Sequence, residues 1–279
     1  MIEMLTYPFM QKAFLTGILV AIACAALGTY LILKKFSLIG DGLAHIAFGG
    51  IATGLLFGIT PFISSLIFAL IGSISILKLK EKTAIHADTA IGIISHASLG
   101  LGIFIASIAR GFNTDILSYL FGSILAIKDS DLILSTILAL SVIAFILLYN
   151  KDLFYVTFDE ESAKVSGINT NFLNSMLIIL TAITIVSSMN VVGLLLASAL
   201  IIIPPSSALQ LKTSFKKTIL WAITFAILSI IIGLVTAYYL DYAVSGTIVL
   251  INTLIFLIIM TYKKFENYFN SKKINYSNS

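Results

Sequence analysis

Asp41 and His45 stand four residues apart in the string Ser37-Leu-Ile-Gly-Asp41-Gly-Leu-Ala-His45, inside an otherwise apolar run. On a helix that spacing stacks the two side chains on one face, one turn apart. A carboxylate oxygen and an imidazole nitrogen make a mixed donor pair that suits zinc and is acceptable to manganese or iron. The alternative is local: Asp41 at a helix entrance, favoured by the N-terminal dipole, with His45 bonded to a neighbouring carbonyl. His96, in Gly92-Ile-Ile-Ser-His96, is the second histidine within an apolar run. A single membrane histidine commonly serves as a helix–helix hydrogen-bonding group. If its span packs against that of Asp41 and His45, three donors result, and a fourth position stays open for water or exchange. His86 and Asp88 are also close in sequence, but they sit in a Lys-rich connection, where a solvated face or a helix cap is the plainer reading.

A second polar stretch, Phe158-Asp159-Glu160-Glu161-Ser-Ala163-Lys-Val-Ser-Gly167, gathers three of the thirteen acids side by side. It reads as a short helix with acids in its first turn and Gly167 as its stop. It is either a solvated connector or a docking helix for a cytoplasmic partner. The chain carries no Walker A run, no Gly-x-Gly-x-x-Gly after a strand, no His-Glu-x-x-His and no Ser/His/Asp grouping. It therefore has no ATP site of its own and is expected not to be an enzyme. Cys24 is the only cysteine, which excludes an intramolecular disulfide and any cluster built on cysteines. Within its apolar run it reads as a small hydrophobe.

The scaffold that positions these groups is a membrane one. Hydrophobic residues make up 59% of the 279 and charged ones 11%, against roughly 45–50% and about 25% in soluble domains. The net charge of +4 is too sparse for a nucleic-acid surface. Reading between the charged clusters, with about 20 apolar residues needed per crossing, gives spans near 12–33, 37–58, 60–77, 89–109, 131–149, 171–189, 191–211, 218–240 and 244–262. The expectation is an all-α polytopic membrane protein of about nine crossings, or eight if one segment falls short. Helices are required because hydrocarbon offers an open strand no hydrogen-bond partner. The first run, Phe14–Leu33, lacks a preceding basic cluster and a clear cleavage site, so it reads as a retained span. Residues 1–262 then form a single transmembrane domain and 263–279 a polar, frayed cytoplasmic tail.

Lys34 and Lys35, then Lys78, Lys80 and Lys82, then Lys151 and Lys164, then Lys212, Lys216 and Lys217, and finally Lys263, Lys264, Lys272 and Lys273 mark alternate connections. By the positive-inside rule those connections face the cytoplasm, which leaves the N-terminus outside. Between Gly111 and Ser130, the patch Leu117–Ile127 is too short to cross and is expected to lie as a re-entrant or interfacial segment on the outer face. Glycines cluster in the second and fourth spans, at Gly40, Gly42, Gly49, Gly50, Gly54 and Gly58 and at Gly92, Gly100 and Gly102. Small residues let helix backbones approach, so both spans are expected in the interior.

Four ordered strings carry a resemblance. Ser37–His45, Asp88-Thr-Ala-Ile-Gly-Ile-Ile-Ser-His96, Ser118-Tyr-Leu-Phe-Gly-Ser-Ile-Leu-Ala126 and Gly193-Leu-Leu-Leu-Ala-Ser-Ala-Leu-Ile-Ile-Ile-Pro204 resemble, in this order, the permease subunits of the zinc/manganese/iron ABC uptake family, and Ser245-Gly-Thr-Ile-Val-Leu250 fits as well. The resemblance covers almost the whole chain. It implies an ATP-driven importer in the cytoplasmic (inner) membrane, with two such permeases forming a homodimeric pore. Separate ATP-binding subunits dock on the cytoplasmic side, and an extracytoplasmic metal-binding protein delivers the ion. On that pattern Asp41 and His45 fall at the metal-path positions. His96 matches a histidine of the zinc-type branch, so the resemblance tilts toward zinc as cargo, with manganese or iron as the alternative and no permanent cofactor. Phe158, Asp159, Glu160, Glu161, Ala163 and Gly167 fall in the coupling helix that sits on the ATPase. Phe48-Gly49-Gly50 departs from the family's proline-containing turn, and Pro204-Pro205 carries an extra proline. Two rivals stand beside this reading. An ion-coupled secondary transporter would show matching broken helices in its two halves, and a membrane hydrolase would need a spare intramembrane carboxylate as general base; neither feature is visible in the sequence.

Overall fold

A computed structural model describes residues 4, 6–83, 85–108, 115–122, 127–189 and 191–277, apart from the side chains of 115–117 and 267–277. Twelve helices follow in order: α1 (Pro8–Leu33), α2 (Ile39–Phe57), α3 (Pro61–Lys82), α4 (Ala87–Ile108), α5 (Asp115–Phe121), α6 (Asp129–Leu148), α7 (Asn150–Phe158), α8 (Glu160–Val165), α9 (Thr170–Ser188), α10 (Leu194–Gln210), α11 (Phe215–Leu240) and α12 (Val244–Ser277). No strand occurs among the described residues. Pro8 and Pro61 open α1 and α3, where a missing N–H costs nothing. Hydroxyls inside the apolar helices spend their protons on the turn below: Thr16, Thr29, Thr181 and Thr184 each donate to the carbonyl four residues back.

Eight of these helices are long and apolar enough to cross a bilayer. All nine apolar segments of the sequence are helical, and the shortfall is α10, with 17 residues. At 1.5 Å per residue it measures about 25 Å, less than the roughly 30 Å of hydrocarbon. It nevertheless runs from one end of the bundle to the other. Val191 and Val192, just before it, line a cavity with Phe9, Met10 and the α11–α12 turn at Tyr242. Phe215, just after it, packs on Tyr30 at the far end of α1. Its start is sunk below the bundle rim, where Val192 and Leu196 meet Ala13, Gly17, Ile230 and Leu234.

The segment after α5 covers this sunken turn. Gly122 and Gly193 cross back to back: a Cβ on Gly122 would come within 2.6 Å of the Val192 carbonyl carbon, and one on Gly193 within 2.6 Å of the Gly122 nitrogen. Both have positive φ, 74° and 87°, so the crossing is closed to other residues by conformation as well as by space. The stretch read as an outer re-entrant segment is thus seen as a seven-residue helix and its turn; residues 109–114 and 123–126 of it lie outside the described residues.

The lysine connections gather at one end. Lys34 pairs with Glu160 at 3.6 Å, Lys80 lies over the Phe36 ring at 4.8 Å, and Lys151 and Lys216 border one groove. At the opposite end Lys12 meets Asp129 at 2.7 Å. The Phe48-Gly49-Gly50 stretch does not break α2, which continues to Phe57, in keeping with the absence of the family's proline there. One reading is corrected. The fourth span is not interior: Ala90, Ile91, Ser95 and Gly102 are its buried residues, Ile91, Ser95 and Gly102 on the side turned to α2, while Gly92 and Gly100 open away from it with nothing within 4 Å of an added Cβ. α12 continues as helix from the last span to Ser277, with Lys263 and Glu266 paired at 2.6 Å along it.

Candidate functional site

α2 and α4 run parallel from the Lys-rich end. Their backbones close up at small residues: Gly42 lies against Ile91 and Ser95, Gly49 against Ser98, and the Ser98 hydroxyl donates to the Ile46 carbonyl at 3.2 Å. This register brings His45 level with His96. The two imidazole rings meet edge to face, with centroids 6.1 Å apart and planes at 76°. One turn nearer the Lys-rich end, Asp41 places Oδ1 4.0 Å from His45 Nε2. All three groups expected in one place from the sequence are therefore neighbours, from two helices that no local signal connects.

The histidines are oriented differently. His96 Nδ1 lies 2.7 Å from the Gly92 carbonyl. A carbonyl only accepts, so Nδ1 carries the proton and Nε2 keeps its lone pair for a ligand. His45 Nδ1 is buried and unbonded among the described residues, while Nε2 is turned to Asp41. Asp41 occupies the first turn of α2, so the dipole reading and the ligand reading hold for it together. The side chains of Asp41 and His45 are 48% and 28% exposed. Among the described residues no three His, Cys, Asp or Glu side chains form a group that could hold a metal ion, so Asp41, His45 and His96 are near neighbours, one carboxylate and two imidazoles, rather than a formed site. His86 is exposed, and Asp88, in the first turn of α4, has a buried Oδ1 without a partner among the described residues.

At the Lys-rich end, α8 has the form expected of it. Asp159 caps it, accepting from the Ser162 N–H at 2.9 Å. Hydrogen bonds from Ser162 hold the Asp159 carboxyl below its ordinary range. Gly167, at φ 85°, ends the helix while the Ile168 N–H reaches back to the Ala163 carbonyl. Its faces differ from the sequence expectation. Ala163 is 0% exposed, enclosed by this chain itself. Glu160 is held from inside by Asn174 Nδ2 at 2.6 Å and by the Lys34 ammonium. What α8 presents outward is Glu161 and Val165, the latter 90% exposed, with Phe158 exposed beside them. Val165 went unread in the sequence; the signal available was one apolar residue between Lys164 and Ser166 in a polar segment. Phe158 also joins Phe154 and Phe215 in a ring cluster, with centroids 4.8–5.9 Å apart, that ties α7 and the foot of α8 to the start of α11. Lys34 is buried next to this assembly; burial pushes its ammonium down from the ordinary lysine range, and Glu160 opposes that.

Similarity extends over the whole bundle. The chain is 34% identical over 270 residues to the manganese transport system membrane protein MntC of Listeria monocytogenes, covering 97% of this chain and 96% of that protein. It is 35% identical over 252 residues to the high-affinity zinc uptake system membrane protein ZnuB of Haemophilus influenzae, covering 90% and 97%. Its fold matches a chain of the solved PsaBC complex from Streptococcus pneumoniae with a TM-score of 0.80 at 33% identity, over 93% of this chain and 96% of that one. With its apolar helices and a match over residues 6–263, the chain is a multi-pass membrane protein that belongs to the ABC 3 transport family.

Proposed function

We propose that the chain is the membrane-spanning permease subunit of an ATP-driven importer for divalent transition metal ions, with zinc as its cargo. The observation that carries this is the meeting of Asp41, His45 and His96 between two parallel helices, with His96 Nε2 left free by its bond to Gly92. An ion in transit must be held firmly enough to leave water and loosely enough to move on. An open set of one carboxylate and two imidazoles suits that demand better than a closed four-ligand cage. The ion comes from an extracytoplasmic metal-binding protein. ATP-binding subunits seat on the Lys-rich face around α8, with Val165, Glu161 and Phe158 as the exposed contacts, while Asp159 and Gly167 shape the helix and Glu160 and Ala163 anchor it. A second copy of the chain completes the pore, and the ion is substrate throughout, with no resident cofactor.

Manganese is the second reading, favoured by the similarity to a manganese transport system protein. Two imidazoles support the zinc reading, since imidazole suits zinc and manganese prefers oxygen-rich sites; the Asp/His pair itself is shared by zinc and manganese permeases. The test is uptake into proteoliposomes holding this chain, its ATP-binding subunit and its binding protein, with zinc and manganese in competition. Asp41→Ala and His45→Ala should each abolish uptake in complexes that still assemble, and His96→Ala should lower it or shift the preference between the metals. Uptake at the unmodified rate in both Asp41→Ala and His45→Ala would remove the assignment.

A further inference from the structure

Asn252 lies on α12 with 1% of its surface exposed, and neither Nδ2 nor Oδ1 has a hydrogen-bond partner among the described residues. An unpaired amide in the middle of a span is costly, and a leucine there would fill similar space without that cost. What surrounds the amide follows from the packing register. Val192, just before α10, and Leu196 of α10 share a small cavity with Val244 and Ile248 of α12, and the two helices run in the same direction. One turn further brings Leu200 level with Asn252. On antiparallel α11, Gly233 packs against Ile248, so one turn further along that pair Ser229 stands at the same level. Its buried hydroxyl donates to the Ala226 carbonyl at 2.8 Å and can still accept.

α10 contains Pro204 and Pro205. Each lacks an N–H, so the carbonyls of Leu200 and Ile201 lose their helical donors. The Ile201 carbonyl lies against the bare Cα of Gly28 on α1, where an added Cβ would collide with it. The Leu200 carbonyl is the one at the level of Asn252. We propose that Asn252 is a latch for α10: its amide donates to the Leu200 carbonyl in one state of the transport cycle and is released in the state seen here. The latch rests on the transport reading above. α10 is placed to matter to transport at both ends. The Ile201 side chain borders Gly40, the residue before Asp41: a Cβ added there would stand 3.5 Å from it. The chain leaving α10 reaches Phe215, which touches Phe154 and Phe158 at the foot of α8. A proline pair frees backbone for bending, and a polar partner one helix away gives the bent form a hydrogen bond the straight form lacks.

The experiment compares Asn252→Leu, Pro204→Ala and the double variant, with Asp41→Ala as control, in proteoliposomes containing the ATP-binding subunit and the binding protein. Asn252→Leu should assemble, melt at or above the unmodified temperature, and take up zinc roughly threefold to tenfold more slowly, the range one interhelical hydrogen bond gives. In the Pro204→Ala background, the restored N–H at position 204 occupies the Leu200 carbonyl, so adding Asn252→Leu should change uptake no further. Unchanged uptake in Asn252→Leu would overturn the latch. So would a lowered melting temperature or failed assembly of that variant, because the amide would then be paired in the resting fold. A slowing equally large with and without Pro204→Ala would overturn it as well. Full uptake by Asp41→Ala would instead bring down the transport reading itself.

Discussion

Glu160 and Lys34 illustrate how a residue's role is settled by partners far away in sequence. The acidic run at 159–161 was legible as a helix start, because acids in a first turn and a later glycine are local signals. Which acid faces a partner was not, since a helix of six residues has too few turns to show an inner and an outer face. The decision is made by Asn174 and Lys34, which claim Glu160 for the chain itself. Asp41 and His45 were legible because their spacing alone stacks them; that His96 joins them depends on an interhelical register no spacing encodes. A prediction follows from the Lys34 pair. Its ammonium is buried and its proton affinity is already lowered, with Glu160 the group that resists the shift. Glu160→Gln should therefore lower stability by about 1–2 kcal/mol, less than a fully buried pair because Glu160 is partly exposed. The sign with pH is fixed: a lysine whose folded pKa lies below its unfolded value costs stability while it is charged, and the cost fades as pH rises past the folded pKa. The melting-temperature gap between Glu160→Gln and the unmodified chain should thus narrow as pH rises toward the ordinary lysine range. A gap that widens with pH would show that Lys34 is not the group left stranded.

Among the helices, the spans were readable because apolar length is a direct consequence of the bilayer as solvent. α10 was read at nearly its true limits, yet its depth was not. Its shortness makes sense only with the α5 turn folded over its start, and that contact joins residues about seventy positions apart. Gly122 and Gly193 hold the contact, and each needs both a positive φ and the absence of a Cβ. Gly193→Ala should destabilise the protein by about 1–3 kcal/mol from the backbone conformation alone, with a further cost as the Cβ drives the α5 turn off the bundle. Gly246→Ala is the matched comparison, since an added Cβ there meets nothing within 4 Å; within α12 it should be neutral or slightly stabilising. Thermal unfolding in detergent reads both. Equal melting temperatures for the two variants would show that the glycine crossing is not what seats α5.

For the molecule as a whole, the lysine distribution foretold which helix ends lie together, because one rule acts on every connection at once. What composition could not foretell is that glycine-rich α4 stands at the rim of a single chain. Small residues promise close packing but do not say with which copy. Along its outer side α4 carries Gly92, His96 and Gly100, followed by Ile103 and Phe104, which are 57% and 66% exposed. Lipid tails offer no hydrogen bond to His96 Nε2 and gain little from bare glycine backbone. A second chain offers both, and it would supply further donors to a metal set that one chain leaves open. For the second copy proposed above, α4 is the expected meeting face, with Asp41, His45 and His96 beside the seam. In a Cys24→Ser background, Gly100→Cys should form an interchain disulfide on mild oxidation in native membranes, since the two Cα atoms must lie within about 7 Å for the bond to close. Ile137→Cys is the comparison: it is 61% exposed on α6, away from α4, and should stay monomeric under the same oxidant. Cross-linking at position 137 without cross-linking at position 100 would move the seam to α6 and leave the α4 stripe to face a different neighbour.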